Sequence, residues 1–295
     1  YDHKDNGGYP FYYEFSRDAF YFRQWCEENP KSLGYLIVGP RGTGKTNEEL
    51  ACISNNILIK RDSRAALQSK GFENDAVPLI FQGKLVPLFN SLLDIFKPQF
   101  SHGTAPVDTM TFKRSSKRGR PAQDFKFGKE LELNSVIYAV RPGEKVLDGE
   151  TMSEVLEDEV GKSSPVVADV YRRHEVNRKV VFRNHRKVGM LRKTTTVEEM
   201  KEGGAECLLL WKDSDPKIVD NNGFTVSQIH RYFISASTTD TSPECCDKFG
   251  KVDKKKASDK IENTLVMIRH DLQKLSSEMR KNPRNEAEAF ILDQS

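Results

Sequence analysis

The chain has 295 residues, of which 30% are charged and 37% hydrophobic, and its formal net charge is +3 at pH 7. This length allows one large domain or two smaller ones with a sizeable core. No apolar run approaches the ~20 residues of a membrane span and no secretory signal is visible, so we expect a cytosolic protein without a membrane partner. The five cysteines lack metal-ligand spacing and indicate free thiols.

The first predicted elements are a helix, a strand and a second helix. A helix from Ser16 to Glu28 ends before Pro30, and the apolar run 33–38 predicts the first strand. The second helix spans 45–59, where Leu50, Ile53 and Ile57 keep helical spacing. A glycine-rich loop joins this strand to this helix.

The glycine-rich loop (residues 39–46) indicates a phosphate site. Its residues are Gly39, Pro40, Arg41, Gly42, Thr43, Gly44, Lys45 and Thr46. Glycines let backbone N–H groups curl around an anion, and the following helix adds its positive dipole end. In this pattern Lys45 reaches the β and γ phosphates and the Thr46 hydroxyl is a ligand of Mg²⁺. We therefore predict that ATP and Mg²⁺ bind at residues 39–46.

The middle of the chain gives weaker patterns. We predict packing elements at 79–81 and 88–96, a strand or two short strands at 131–140, a helix at 166–176, and strands at 188–191, 207–211 and 232–234. Residues 113–120 carry five basic side chains. They form either a sequence-independent contact to nucleic-acid phosphates or a solvated loop. Residues 172–193 hold a second basic concentration.

An acidic cluster follows the apolar pair Val155-Leu156 and supplies what hydrolysis needs besides a phosphate site. We assign Asp158 to Mg²⁺ and Glu159 to activation of the attacking water. Because the preceding strand is poorly apolar, the choice among Glu157, Asp158 and Glu159 is open by one position, and a solvated acidic turn is the alternative.

An arginine is expected to neutralise charge that develops on the γ phosphate. Arg41, inside the glycine-rich loop, is a candidate within the subunit. Arg141 is a second candidate, within the subunit or across an interface.

The C-terminal part differs in character. Residues 237–256 are polar and rich in breakers, as in a linker, and residues 257–281 place one apolar stripe on a long helix. The stripe favours packing on the same domain, with an intermolecular coiled coil as the alternative. We therefore divide the chain into an ATPase domain, 1–240, and a linker with a helical subdomain, 241–295.

Four segments together resemble the large terminase subunits, the DNA-packaging motors of tailed bacteriophages. They are the arginine-bearing loop 40–46, the acidic segment 157–162, the hydroxyl-rich Thr194-Thr195-Thr196 with 197–204 behind it, and the segment 280–290. Their order and spacing match that family across roughly residues 33 to 290. The glycine-rich loop alone is common to many NTPases, whereas the four segments together are much more specific.

The resemblance implies an α/β fold: a P-loop NTPase of the additional-strand, catalytic-glutamate type, with a mainly parallel sheet flanked by helices and a small helical C-terminal subdomain. It implies a homo-oligomeric ring that draws double-stranded DNA into a procapsid, with the portal protein and the small terminase subunit as partners, in the host cytoplasm and transiently at the procapsid. Thr194, Thr195 and Thr196 would couple loss of the γ phosphate to movement. Their alternative role is a strand-end hydroxyl cluster that bonds its own backbone.

Two further expectations concern what lies near the ends of the chain. The adenine-contacting element should lie within residues 1–30, where an aromatic from Tyr12 to Phe15, or Arg17, is a candidate. The nuclease domain of the family would follow Ser295, so we expect ATP hydrolysis without DNA cutting from these residues.

Two rival functions stay open on sequence grounds. One is another nucleic-acid-dependent ATPase, such as a helicase, although no helicase-type motif follows the acidic cluster. The other is a non-hydrolysing assembly module in which ATP organises a partner surface; the acidic pair argues against it.

Overall fold

In the part of the chain that the structure describes, seven strands form one central sheet. The computed structural model describes residues 13–69, 79–93, 96–97, 106–112, 133–141, 143–162, 169–197 and 200–292. The strands are β1 (Gly34–Val38), β2 (Arg64–Gln68), β3 (Thr109–Phe112), β4 (Ser135–Ala139), β5 (Glu154–Asp158), β8 (Met190–Thr195) and β9 (His230–Phe233). A separate hairpin consists of β6 (Phe182–Arg183) and β7 (Arg186–Lys187). The basic stretch 113–120 lies outside the described residues.

The sheet is parallel except at one edge. Its order is β3-β4-β2-β5-β8-β1-β9, and only the pairing of β3 with β4 is antiparallel. In register, Val155 of β5 lies beside Leu191 of β8, which lies beside Gly34 of β1. Every residue of these three strands is buried, as expected where helices cover both faces of a parallel sheet.

Helices cover the two faces and the C-terminal end. They are α1 (Glu14–Glu28), α2 (Lys45–Ile59), a π-helical segment (Phe81–Leu85) that continues into α3 (Val86–Asn90), α4 (Val170–Val180), α5 (Gly204–Asp213), α6 (Lys254–Ile268), α7 (Leu272–Lys281) and α8 (Glu286–Ala289). Short 3₁₀ turns occur at Val160–Lys162, Met200–Glu202 and Ala236–Thr238. No helix of the described ranges has the length and apolar character that a membrane crossing requires.

Alternation along the strands divides the core into layers. In β2, Ala66 belongs to the apolar layer beneath α4 and α5, whereas Ala65 and Leu67 belong to the layer beneath α2 and α3. Cys26 of α1 belongs to a third cluster, against β1. Because successive side chains point to opposite faces, the position of a residue along its strand decides whether its side chain faces α2.

The predicted strand at 207–211 is wrong, because these residues lie in α5. The helix begins after Gly203, whose φ of 98° is a left-handed conformation that favours glycine. Within it Cys207 and Leu210 are buried while Leu209 is 50% exposed. A run of five apolar residues is too short to show this helical period in the sequence.

The single long helix predicted at 257–281 is two helices, α6 and α7. Asp271 ends the continuity, because its side chain accepts a hydrogen bond from the backbone N–H of Lys274 and caps α7. The apolar stripe is correspondingly uneven: Leu265 is buried, whereas Leu272 is 45% exposed. The helix predicted at 166–176 likewise begins later, after the cap residue Asp169.

The buried imidazole of His174 gives a pH-dependent stability. Its Nε2 lies 2.8 Å from the carbonyl oxygen of Ser227, and burial, with the nearby charge of Lys193, lowers its pKa to about 3. The folded chain keeps this group neutral, while the unfolded chain takes up a proton below about pH 6.5. The contribution is therefore fully present above pH 6.5 and is lost as the pH falls towards 3.

We expect this group to lower the free energy of unfolding by about 1.4 kcal/mol between pH 7.5 and 5.5. Urea unfolding of wild type, His174→Gln and the exposed control His270→Gln at both pH values measures it. From pH 7.5 to 5.5 the free energy of unfolding of wild type and of the control should fall by about 1.4 kcal/mol more than that of His174→Gln. Equal losses in all three proteins would show that His174 does not titrate in this way.

Candidate nucleotide site

The candidate site is an open cavity at the carboxyl edge of the parallel sheet. Its volume is about 550 Å³. It lies where β1, β5 and β8 end, which is where open α/β sheets bind their ligands. The described residues that line it are Arg41, Gly42, Thr43, Gly44, Lys45, Thr46, Asn47, Lys84, Asp158, Glu159, Lys162, Thr195 and Thr196.

The glycine-rich loop has the conformation its glycines allow. Gly42 and Gly44 have φ values of 75° and 79°, and α2 begins directly after Gly44. The N-terminal end of α2, with its exposed backbone N–H groups, therefore faces the cavity. The backbone N–H of Arg41 donates to the carbonyl oxygen of Lys281 at 3.1 Å, which ties this loop to the end of α7.

Lys45 is the buried cation of the loop. Its Nζ donates to the carbonyl oxygens of Gly39, at 3.1 Å, and Pro40, and lies 3.4 Å from the Thr196 hydroxyl. Burial lowers the pKa of Lys45 to about 8, although the charge of Asp158 opposes this shift. The buried ammonium is thus held mainly by neutral carbonyl oxygens. Because a buried charge is stabilised by a charged partner, a bound anion would interact with it strongly.

Asp158 connects the loop with the strand β8. Thr46 Oγ1 donates to Asp158 Oδ1 at 3.0 Å, and Thr194 Oγ1 donates to the same oxygen at 2.6 Å. Burial raises the pKa of Asp158, and the bonds from both threonines oppose this effect. One carboxylate and one hydroxyl form a hard oxygen set that suits Mg²⁺, whose other ligands are then phosphate and water oxygens.

This site suits Mg²⁺ better than a metal ion that needs three or more protein ligands. No group of three or more His, Cys, Asp or Glu side chains within the described ranges could hold a metal ion. A site that depends on phosphate oxygens for the rest of its coordination is the arrangement that Mg²⁺ uses with nucleotides.

Strand parity separates the three neighbouring acids. Glu157 points to the α4 face, where it accepts hydrogen bonds from Arg173, Asn177 and Lys193. Because Asp158 is the next residue along β5, its side chain lies on the opposite face, which α2 covers. Of Glu157 and Asp158, only Asp158 lines the cavity.

Glu159 directly follows β5 in a strained conformation. Its φ is 55°, which is uncommon for a residue with a side chain. Its carboxylate lines the cavity and lies 2.7 Å from the Nζ of Lys162. Strain of this kind often accompanies functional sites, and here it places a second acid beside Asp158.

The threonine triplet bonds to both sides of the cavity. Thr196 Oγ1 donates to the carbonyl oxygen of Gly39 at 2.9 Å, and Thr195 Oγ1 accepts from the backbone N–H of Gly161, also at 2.9 Å. Together with the bond from Thr194 to Asp158, these contacts connect the end of β8 with the glycine-rich loop and the acidic segment. Two of the three hydroxyls thus bond backbone groups of neighbouring segments.

The two candidate arginines have different positions. Arg41 is exposed and lines the cavity. Arg141, also exposed, follows the end of β4 and is not among the described residues that line the cavity. Because β2 lies between β4 and β5, strand spacing places β4 about 10 Å from β5. The structure of one chain therefore brings Arg41, and not Arg141, to the cavity.

Two lysines of the cavity had no predicted role. Lys162 belongs to the segment 157–162, but nothing in the sequence links its ammonium to Glu159. Lys84 lies in the π-helical segment, in a region where the apolar pattern predicts packing elements without a clear register. Only tertiary contacts bring these two side chains to the same cavity.

None of the described candidates for the adenine contact lines this cavity. Tyr12 is outside the described residues. Phe15 stacks on Tyr13 with ring centroids 5.6 Å apart and lines a separate cavity of about 190 Å³ beside the end of β9. Arg17 forms ion pairs with Glu14 and Asp18. The adenine contact therefore remains a prediction.

Comparison with known proteins gives a match at the level of structure. No family model matches the sequence, and no curated protein matches it. The large terminase ATPase domain of Thermus phage P74-26 matches with a TM-score of 0.50 and 10% identity, over 89% of this chain and 92% of that domain. A mutant form of that domain matches with a TM-score of 0.50 and 9% identity, over 88% and 90%.

The large terminase of bacteriophage HK97 matches with a TM-score of 0.53 and 12% identity, over 92% of this chain and 51% of that protein. This chain thus spans about half the length of the HK97 protein. The predicted α/β fold is confirmed by these matches and by the mostly parallel sheet. The chain has the P-loop fold of the phage large terminase ATPase domains.

Proposed function

We propose that this chain is the ATPase motor of a phage DNA-packaging enzyme, which hydrolyses ATP to ADP and phosphate and moves double-stranded DNA into a procapsid. The observation that carries the proposal is the cavity at the carboxyl edge of the sheet. It combines Lys45, Asp158 and Glu159 in a chain with the fold of terminase ATPase domains.

The triphosphate would lie along residues 39–46. The backbone N–H groups of the loop and the start of α2 would bind the phosphate oxygens, and Lys45 would leave its loop carbonyls for the β and γ phosphates. Thr46 and Asp158 would hold Mg²⁺, which neutralises charge on the phosphates when bound.

Glu159 would orient the attacking water and accept its proton, after leaving Lys162. Arg41 would contact the γ phosphate from within the subunit. Arg141, which is exposed on the same edge of the sheet, would act on the site of a neighbouring subunit in a ring.

The threonine triplet would couple hydrolysis to movement. Thr194 bonds the carboxylate expected to hold the metal, and Thr196 bonds the loop expected to hold the phosphates. Loss of the γ phosphate would change both sets of bonds at once, and the end of β8 would shift relative to β1 and β5.

The remaining partners follow from the resemblance. They are double-stranded DNA, the portal protein and the small terminase subunit, with a homo-oligomeric ring docked at the procapsid in the host cytoplasm. Arg172 on α4, 75% exposed at its side chain, and the predicted loop 113–120 are candidate phosphate contacts. Such contacts are sequence-independent and salt-sensitive, which suits a translocating motor.

ATP turnover with and without double-stranded DNA tests this function. We expect wild type to hydrolyse ATP faster with DNA, and Lys45→Ala to lose both nucleotide binding and turnover because the buried cation is removed. Nucleotide binding without any turnover would favour the assembly module. Separation of a forked DNA duplex during turnover would favour a helicase.

A further inference from the structure

Among the described residues, four cations line the nucleotide cavity, and they differ in how they are held. They are Arg41, Lys45, Lys84 and Lys162. Lys45 donates to the carbonyls of the glycine-rich loop, and Lys162 is paired with Glu159. Lys84, in contrast, makes no hydrogen bond or ion pair with any residue that the structure describes. Its exposed ammonium is therefore available to an incoming anion without first breaking another bond.

The fold holds Lys84 at this cavity through apolar anchors on both sides. Phe81 and Leu85, the first and last residues of the π-helical segment, are buried in the layer that also contains Leu50 of α2. Phe89 of α3 lies in the same layer, with its ring centroid 5.0 Å from that of Phe112. The backbone under Lys84 is thus packed against the helix that begins at the phosphate site.

The geometry of the segment directs polar residues outward. Residues 82–84 are exposed between the two buried anchors, and Gln82 donates to the carbonyl oxygen of Val107 at 3.2 Å. A π-helical turn is rare and occurs frequently at functional sites. In this chain it brings Lys84, from a segment remote in sequence, to the wall of the cavity.

Lys84 and Asp158 line the same cavity. The charge of Lys84 lowers the pKa of Asp158, although burial of that carboxyl has a larger and opposite effect. Because Asp158 and Thr46 would hold the Mg²⁺ of a bound nucleotide, a cation that acts on Asp158 would also act on the nearby phosphates. Lys45, in contrast, extends from the glycine-rich loop itself and is held by the loop carbonyls.

We propose that Lys84 is a further catalytic residue, whose ammonium contacts the γ-phosphate oxygens of ATP from within the same subunit. This inference rests on the proposed function. During hydrolysis the water oxygen bonds to the γ phosphorus and gives a proton to Glu159, while the bond to the β–γ bridging oxygen breaks and its electron pair leaves with ADP. Lys84 keeps its proton throughout and stabilises the charge on the transferring group.

The test compares Lys84→Met and Lys84→Arg with the control Lys60→Met, which alters an exposed lysine outside the cavity. The readouts are kcat for ATP and the Kd values of ATPγS and ADP, each with Mg²⁺. We expect Lys84→Met to lower kcat about 10²-fold, as removal of one transition-state contact does in other enzymes. ATPγS binding should weaken about tenfold, while ADP binding stays within twofold, since only ATPγS has the terminal phosphate.

The other variants decide whether the effect is specific. Lys84→Arg should recover most of the turnover, and Lys60→Met should match wild type. Turnover of Lys84→Met within threefold of wild type would overturn the proposal. So would equal weakening of ATPγS and ADP, which would indicate a general structural role. Thermal unfolding of Lys84→Met, with an unchanged midpoint, shows that the variant is folded.

Failure of the proposed function gives a different pattern. If wild type binds ATPγS but hydrolyses no ATP, the motor function fails, and the comparison of ATPγS with ADP still decides whether Lys84 contacts the terminal phosphate. If wild type binds neither nucleotide, both proposals are wrong.

Discussion

Glu159→Gln is expected to lower the ATP turnover about 10²- to 10⁴-fold, the usual contribution of a general base, while ATP binding stays close to that of wild type. Glutamine keeps the size of the side chain but cannot accept the proton of the attacking water. Glu159 lines the cavity beside Asp158, and its carboxylate is partly exposed. Its replacement should therefore act on the chemical step and leave the fold intact.

Single-turnover hydrolysis and the Kd of ATPγS measure the two effects separately. The matched control is Glu150→Gln, which removes an exposed carboxylate in a surface ion pair with Arg64. The control should behave as wild type in both assays. Turnover of Glu159→Gln within threefold of wild type would show that another group activates the water.

Glu157→Gln is expected to destabilise the fold, by about 3–5 kcal/mol, rather than to remove a metal ligand. The buried carboxylate of Glu157 accepts hydrogen bonds from Arg173 and Lys193, whose side chains are themselves buried. These cations hold the pKa of Glu157 at about 2 against the opposing effect of burial. Without the carboxylate, two buried positive charges would face a neutral amide.

Urea unfolding measures this loss. The control is Glu175→Gln, which breaks the more exposed ion pair with Arg178 and should cost at most about 1 kcal/mol. An unfolding free energy of Glu157→Gln within 1 kcal/mol of wild type would contradict the structural role. The Mg²⁺ concentration dependence of its residual turnover should match that of wild type, because Glu157 lies on the opposite face of β5 from Thr46.

The structure follows most directly from the sequence where the pattern is local. The glycine-rich loop and the helix 45–59 follow from glycine positions and helical spacing, and the structure has this helix over the same residues. The acidic segment was harder. Glu154 and Glu157 give β5 a poorly apolar sequence although the whole strand is buried. Their carboxylates are paired with Arg192 and Lys193, which lie far away in sequence, and these partners cannot be read from the local pattern.

Other features depend on tertiary placement and leave no clear mark on the sequence. The parity that separates Glu157 from Asp158 requires knowing that α4 and α2 cover opposite faces of the sheet. Lys84 reaches the cavity only because buried aromatic residues anchor its segment. The helix α5 resembles a strand in sequence because its apolar run is short. Its helical period becomes visible only when the burial of each residue is known.

The most direct test of the nucleotide site is a crystal structure with Mn²⁺ in place of Mg²⁺ and a non-hydrolysable ATP analogue, with anomalous scattering to locate the metal. We predict the metal peak between the Thr46 hydroxyl and the Asp158 carboxylate, the triphosphate along residues 39–46, and the terminal phosphate within reach of Glu159. A metal bound at Glu157, or a triphosphate bound away from the glycine-rich loop, would contradict the account.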